Sequence, residues 1–119
     1  MATLATDTPR VFEAGYNHLI GSMPVIASDI VYAGSAVGES GTAGTGRPLV
    51  SGDNFAGFCI EKCDNASGAA SDLQIKLREV GVVKLAVTNI TAASQYGDAI
   101  YATDDNVFTT TVGGSRIGH

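Results

Sequence analysis

The stretch that decides the fold is residues 72–88, DLQIKLREVGVVKLAVT. Leu73, Ile75 and Leu77, then Val83, Leu85 and Val87, fall on its odd positions, while Gln74, Lys76, Arg78 and Lys84 fall on even ones. Successive side chains of a strand point to opposite faces, so this alternation buries one face and wets the other. Glu79, Val80 and Gly81 break the phase, with a charge and a glycine arriving on the apolar side. A β-bulge or sharp bend there re-aims the strand, and Gly81 takes the needed backbone angles at little steric cost. A helix would require Lys84 to continue the stripe of Leu73, Leu77 and Val80, and would enclose Gly81 beside β-branched neighbours. The stretch is therefore read as one long, bent, half-buried strand.

Composition extends that reading to the whole chain. A length of 119 residues suits one domain. Such a chain buries roughly 65% of its unfolded surface, enough for a core without staples. There is no Trp and the aromatic share is 7%, so the core must come from Val, Ile, Leu and Ala, which suits thin β packing. Fifteen glycines among many Ser and Thr indicate turns rather than long helices. The expectation is an all-β protein, a small compact β-barrel or sandwich with glycine-rich loops. Residues 1–17 form an extended N-terminal arm, and residues 18–119 a single β domain.

Within the arm, Thr3, Thr6, Thr8 and Pro9 disfavour helix, Arg10–Glu13 alternates as a short strand, and Gly15-Tyr16-Asn17 turns. Its Val11, Phe12 and Tyr16 need something to pack on, either the body of the same chain or a neighbour. Further strands are expected at Asp29–Ala33, Arg47–Val50, Phe55–Lys62, Ala99–Ala102 and Val107–Thr111, the last two joined by a tight turn at Asp104-Asp105-Asn106. Gly34–Gly46 is the most flexible segment by composition and is expected as an exposed loop or hairpin tip. Asp64–Ala70 reads as a link, and Arg116–His119 as the start of an unfinished element.

Several function classes are disfavoured. The net charge is −5 and the seven basic residues are scattered from Arg10 to Arg116, whereas a nucleic-acid binder normally carries a basic patch. No basic segment followed by an apolar run opens the chain, and no apolar run approaches the ~20 residues of a membrane helix. A soluble protein made in a reducing cytoplasm is expected, and the sequons at Asn65 and Asn89 are read as chance. Cys59 and Cys63 would stand ~13 Å apart on one strand, too far for a disulfide. With no companion ligands they read as reduced, partly buried thiols rather than a metal site.

No catalytic constellation emerges. Gly41–Gly46 has the glycine spacing of a phosphate loop, but Arg47-Pro48 stands where Lys and Ser or Thr are needed, and no helical segment follows. Asp53, Asp64, Asp104 and Asp105 occupy turn contexts. His18 and His119 lack ligand partners, Ser22 and Ser51 lack a base, and Glu79 either pairs with a base or is carried to solvent by the bulge. The expectation is a protein that is not an enzyme and uses no cofactor or metal.

One ordered series of residues carries a resemblance. It runs Arg47-Pro48-Leu49-Val50, Ser51-Gly52-Asp53, Phe55-x-Gly57-Phe58, then Asp64-Asn65-x-Ser67-Gly68-x-Ala70. It continues through Gln74–Arg78 and Gly81-Val82-Val83-Lys84-Leu85 to Gly97-Asp98-x-x-Tyr101-Ala102-x-Asp104-Asp105. This series resembles the capsid cement, or head decoration, proteins of tailed bacteriophages. The resemblance implies a small β protein on the outer surface of the mature phage head, in the virion, that stabilises the shell by bridging subunits of the major capsid protein. It implies a homo-oligomer, with a trimer favoured, and no nucleic-acid or membrane partner. Pro9, Arg10, Val11, Phe12 and Tyr16 are then the candidates for capsid or subunit contact. The resemblance also implies a further β-run past the position of Ile117-Gly118, either trimmed, lying outside this sequence, or replaced by a partner's strand, and an unpaired sheet edge would then be left to manage. The alternative is a small β-sandwich module binding a carbohydrate or receptor, which would need an exposed aromatic platform built from Tyr16, Tyr32, Tyr96, Tyr101 and the four Phe.

Overall fold

A computed structural model of the chain describes residues 4–12, 19–40, 44–80, 83–88 and 98–118. Its strands in chain order are β1 (Val11–Phe12), β2 (Leu19–Pro24), β3 (Asp29–Val31), β4 (Ala36–Glu39), β5 (Gly46–Pro48), β6 (Asn54–Cys59) and β7 (Cys63–Asn65). They continue with β8 (Gln74–Val80), β9 (Val83–Lys84), β10 (Val87–Thr88), β11 (Ile100–Ala102), β12 (Phe108–Thr109) and β13 (Ser115–Gly118). The chain is all-β, and no helix occurs among the described residues.

Residues 74–88 organise the sheets, but as three strands rather than the single bent one expected. β8 joins an antiparallel five-stranded sheet of order β2-β8-β6-β4-β5. β9 pairs with β1 of the arm, and β10 runs parallel to β12 in a second sheet of order β10-β12-β11-β13. β3 and β7 form a separate ribbon. The alternation holds through β8, where Ile75 and Leu77 are buried and Gln74 and Lys76 exposed. Leu73, just ahead of the strand, lies 44% exposed. The expected bulge is present: Leu19 pairs with Val80 and Ile20 with Arg78, leaving Glu79 as the extra residue and exposed to solvent. The bulge keeps that charge out of the core, at the point where pairing with β2 ends.

The five-stranded sheet packs on both faces. Val37, Cys59, Ile75 and Leu77 bury one face against Val25, Val31 and Cys63. Ala36 and Phe58 bury the other against Leu49, Ala102 and Phe108, with Val83, Leu85, Val87, Ile100 and Ile117 closing around them. A second bulge makes this two-sided packing work. Val37 pairs with Gly57 but Gly38 with Phe55, so Ala56 is unpaired. Phe55 and Phe58, three apart, would face opposite ways on a regular strand. Across the bulge both enter the second core, with ring centroids 5.4 Å apart in an edge-to-face arrangement. Gly57 sits at φ +150°, and a Cβ there would press on the Arg78 carbonyl oxygen at 2.8 Å. These layers are those of a sandwich; the sheets form no closed barrel among the described residues.

The segment Gly34–Gly46 corrects the expectation of an exposed loop. Gly34–Gly38 are buried, and β4 within this segment lies between β6 and β5. Small residues are what allow an interior strand covered on both faces: Gly38 has Asp53 directly over it, with no room for a Cβ. Within this segment residues 41–43 lie outside the described residues, but Thr45 and Gly46 at its end are buried. The expected link Asp64–Ala70 begins inside β7, and Arg116–Gly118 belong to β13, paired with β11.

Candidate functional site

Residues 4–12 of the arm are extended and lie against the body of the same chain. The Thr8 amide donates to the Ala33 carbonyl at 2.6 Å, and the Ala33 amide donates to the Asp7 carboxylate at 2.9 Å. Tyr32–Ser35 forms a turn closed by the Ser35 amide on the Tyr32 carbonyl, with Gly34 at φ +88°. That positive φ at the third position is the mark of a type II turn and calls for glycine. Glycine is needed there twice over, because a Cβ would collide with the Thr8 carbonyl.

Arg10 closes the arm onto the second core. Its Nε donates to the Gly34 carbonyl at 2.7 Å and its Nη2 to Asn106 Oδ1 at 2.9 Å. The guanidinium carbon stands 5.4 Å from the Phe108 ring centroid and 6.0 Å from that of Phe58. A cation over aromatic faces at such range is attracted by the ring quadrupoles. Burial pulls the Arg10 pKa down, and the nearby charge of Asp105 pushes it up.

Asp105 anchors the start of the arm. Its side chain is fully buried, accepting the Ser35 hydroxyl at 2.9 Å and the Leu4 amide at 3.2 and 3.3 Å on its two oxygens. Burial pushes its carboxyl above the ordinary carboxylate range, an effect opposed by the Ser35 and Leu4 hydrogen bonds, which favour the charged form. Asp104 plays the turn role read from sequence: one of its oxygens accepts the amides of Asn106 and Val107 at 2.8 and 2.9 Å.

The structure therefore separates the candidate contact residues. Pro9 is exposed, and Arg10 is half-buried and turned onto its own core. Val11 and Phe12 pair through their backbones with Lys84 and Val83, and Tyr16 lies outside the described residues. His18 and His119 also lie outside them.

A second surface went unread in the sequence. Val112 is 77% exposed and Val50 39% exposed. Their loops are tied together by the Ser51 hydroxyl donating to the Gly113 carbonyl at 3.3 Å and the Gly52 amide donating to the Ser115 hydroxyl at 3.1 Å. Behind this tip Asp53 grips Arg47 through two bonds of 2.8 and 3.0 Å and also accepts the Val50 amide at 3.1 Å. The Arg47 hydrogen bonds, first of all, hold the Asp53 carboxyl below its ordinary value. The available signal was an isolated Val in a polar run, Thr111-Val112-Gly113, which composition alone cannot distinguish from a buried one.

Cys59 and Cys63 are free and buried on different strands, packed in the same core. Burial pushes the Cys59 thiol up to about 12, and that thiol donates to the Glu61 carbonyl at 2.9 Å. The sequon residue Asn65 is also buried, donating from Nδ2 to the carbonyls of Ile26 and Ala69, each at 3.0 Å. Among the described residues no group of three His, Cys, Asp or Glu is placed to hold a metal. What the described surface offers is a docked arm and an apolar tip. Comparison with protein-family models, with curated proteins and with solved structures found no match.

Proposed function

We propose that the chain is a non-enzymatic capsid decoration protein of a tailed bacteriophage, bound as a homo-oligomer, with a trimer favoured, to the outer surface of the mature head. The observation that carries this reading is the ordered series of residues from Arg47 to Asp105, together with the work those residues do in the fold. Arg47 and Asp53 form the two-bond clamp, Gly57 makes the bulge that aims both Phe rings, and Asn65 bonds Ile26 and Ala69. Asp104 caps its turn and Asp105 anchors the arm. The series is thus a framework, and a framework is what a shared fold would keep while its contact surfaces vary.

The shell contact falls best on the Val50 and Val112 tip with the exposed Pro9 of the arm. Apolar side chains presented on a clamped loop lose little freedom on docking. Co-sedimentation with purified heads tests the reading: the protein should pellet with expanded heads and stay in the supernatant with unexpanded ones. Val112→Asp should weaken pelleting at least tenfold while leaving the folded spectrum intact. No pelleting with expanded heads of the phage encoding the protein would sink the proposal. The carbohydrate-binding alternative gains nothing from the described aromatic side chains, since Tyr32 and Tyr101 are half-buried and Phe58 and Phe108 buried.

A further inference from the structure

The turn Ala33-Gly34-Ser35, with Asp105 and Asn106 beside it, is a cradle matched to one extended peptide. It offers the Ala33 carbonyl to an amide, the Ala33 amide to a carboxylate, the Asp105 carboxylate to a second amide and the Gly34 carbonyl and Asn106 oxygen to a guanidinium. Gly34 leaves room for the peptide backbone itself, since the atoms a Cβ would meet there are those of Thr8 and Pro9.

We propose that this cradle takes Leu4–Arg10 from a second copy of the chain in exchange for the chain's own arm. Two observations carry it. The cradle's complementarity to this segment is explicit, residue by residue. The segment also buries little apolar surface of its own, because Ala5, Thr6, Asp7 and Pro9 are exposed and it is held by hydrogen bonds at Leu4, Asp7, Thr8 and Arg10 and by the Arg10 guanidinium over two rings. Segments with few buried apolar contacts open at low free energy, well before the core does. Once open, the cradle makes the same contacts with either copy's arm, which is the condition for a swapped assembly. The own arm competes at an effective concentration in the millimolar range, so exchange requires copies crowded to that level. The inference stands apart from the capsid reading and holds for the protein alone in solution.

The test uses two populations of the full-length protein. One carries a spin label at Thr6→Cys, an exposed position, while the native Cys59 and Cys63 thiols stay buried. The other is labelled with nitrogen-15 and carries no spin label. Mixed at millimolar concentration, the spin-labelled arms should broaden the amide signals of Ala33, Ser35 and Asn106 of the other population, and dilution to micromolar should remove the effect. Gly34→Ala in the nitrogen-15 chain should abolish the broadening. Should that variant lose its folded spectrum, Arg10→Ala in the spin-labelled chain serves instead and should reduce the broadening at least fivefold. Absence of broadening at millimolar concentration would overturn the proposal, as would broadening that persists undiminished with the folded Gly34→Ala chain or the Arg10→Ala chain.

Discussion

Replacing Gly57 by alanine isolates the feature that lets the five-stranded sheet pack on both faces. Two costs add. At φ +150° a residue with a side chain is strained by roughly 1–3 kcal/mol. The new Cβ would also lie 2.8 Å from the Arg78 carbonyl oxygen and 3.3 Å from its carbon. The first of these is about 0.5 Å short of comfortable contact, and the obstacle is backbone of the neighbouring strand, which cannot swing aside. Pushing β6 from β8 loosens Phe55 and Phe58 together, an overpacking penalty of roughly 1–3 kcal/mol. The sum, about 2–6 kcal/mol, is a large share of the 5–15 kcal/mol typical of a domain. At roughly 4 °C per kcal/mol for this length, the melting temperature should fall by about 8–24 °C. Gly52→Ala is the control, because Gly52 has φ +97° but open space around its Cβ position. It should show the backbone cost alone. Urea unfolding of both variants measures the difference. Equal destabilisation of the two would refute the claim that the close approach of β6 to β8 is what demands glycine.

Two aspartates should push stability in opposite directions with pH. Asp105 has a raised carboxyl in the fold, so its contribution is fully present below the unfolded value near 4 and is lost as pH rises through the folded value. Asp105→Asn should therefore gain on the parent as pH rises over that window in urea melts, and a constant gap between them would contradict the burial argument. Asp53 is held low by Arg47, so its contribution is present above the unfolded value and lost as pH falls through the folded one. Asp53→Asn should cost about 1–2 kcal/mol at pH 7 after allowance for solvent screening, and progressively less in acid. Cys59, pushed to about 12, should resist a thiol reagent at pH 8 until the protein unfolds, with the labelling rate tracking urea concentration. Rapid modification of Cys59 in the native protein would contradict its placement.

What could be read from sequence was local periodicity, and it read well where one face was wet. Ile75 and Leu77 alternate with Gln74 and Lys76, and a charge arriving out of phase at Glu79 correctly marked a bulge. The same reasoning failed for Ala36–Glu39, because a strand covered on both faces shows no alternation. A strand reading Ala36-Val37-Gly38-Glu39 shows no hydrophobic run either, so its burial is set by β5 and β6, distant partners. The Phe55 and Phe58 spacing held a usable sign: two aromatics three apart in a strand with an intervening glycine share a face only across a bulge. In the arm, the threonines and Pro9 announced an extended chain, but Arg10 carried no mark of its place over Phe58 and Phe108. Asp105 looked like one more turn aspartate beside Asp104, since nothing in Asp-Asp-Asn says which side chain turns inward.

The stretch from Gln74 to Thr88 is sewn in turn to β2 and β6, to the arm strand β1, and to β12. A single covalent chain thus runs like a tie rod through three sheets. A force drawing those sheets apart along this direction travels through peptide bonds, and sliding one past another must shear whole ladders of hydrogen bonds at once instead of unzipping them singly. A single-molecule pull with handles near Gln74 and Thr88 loads those ladders along the strands and should meet a higher peak force than one applied across β4 and β5.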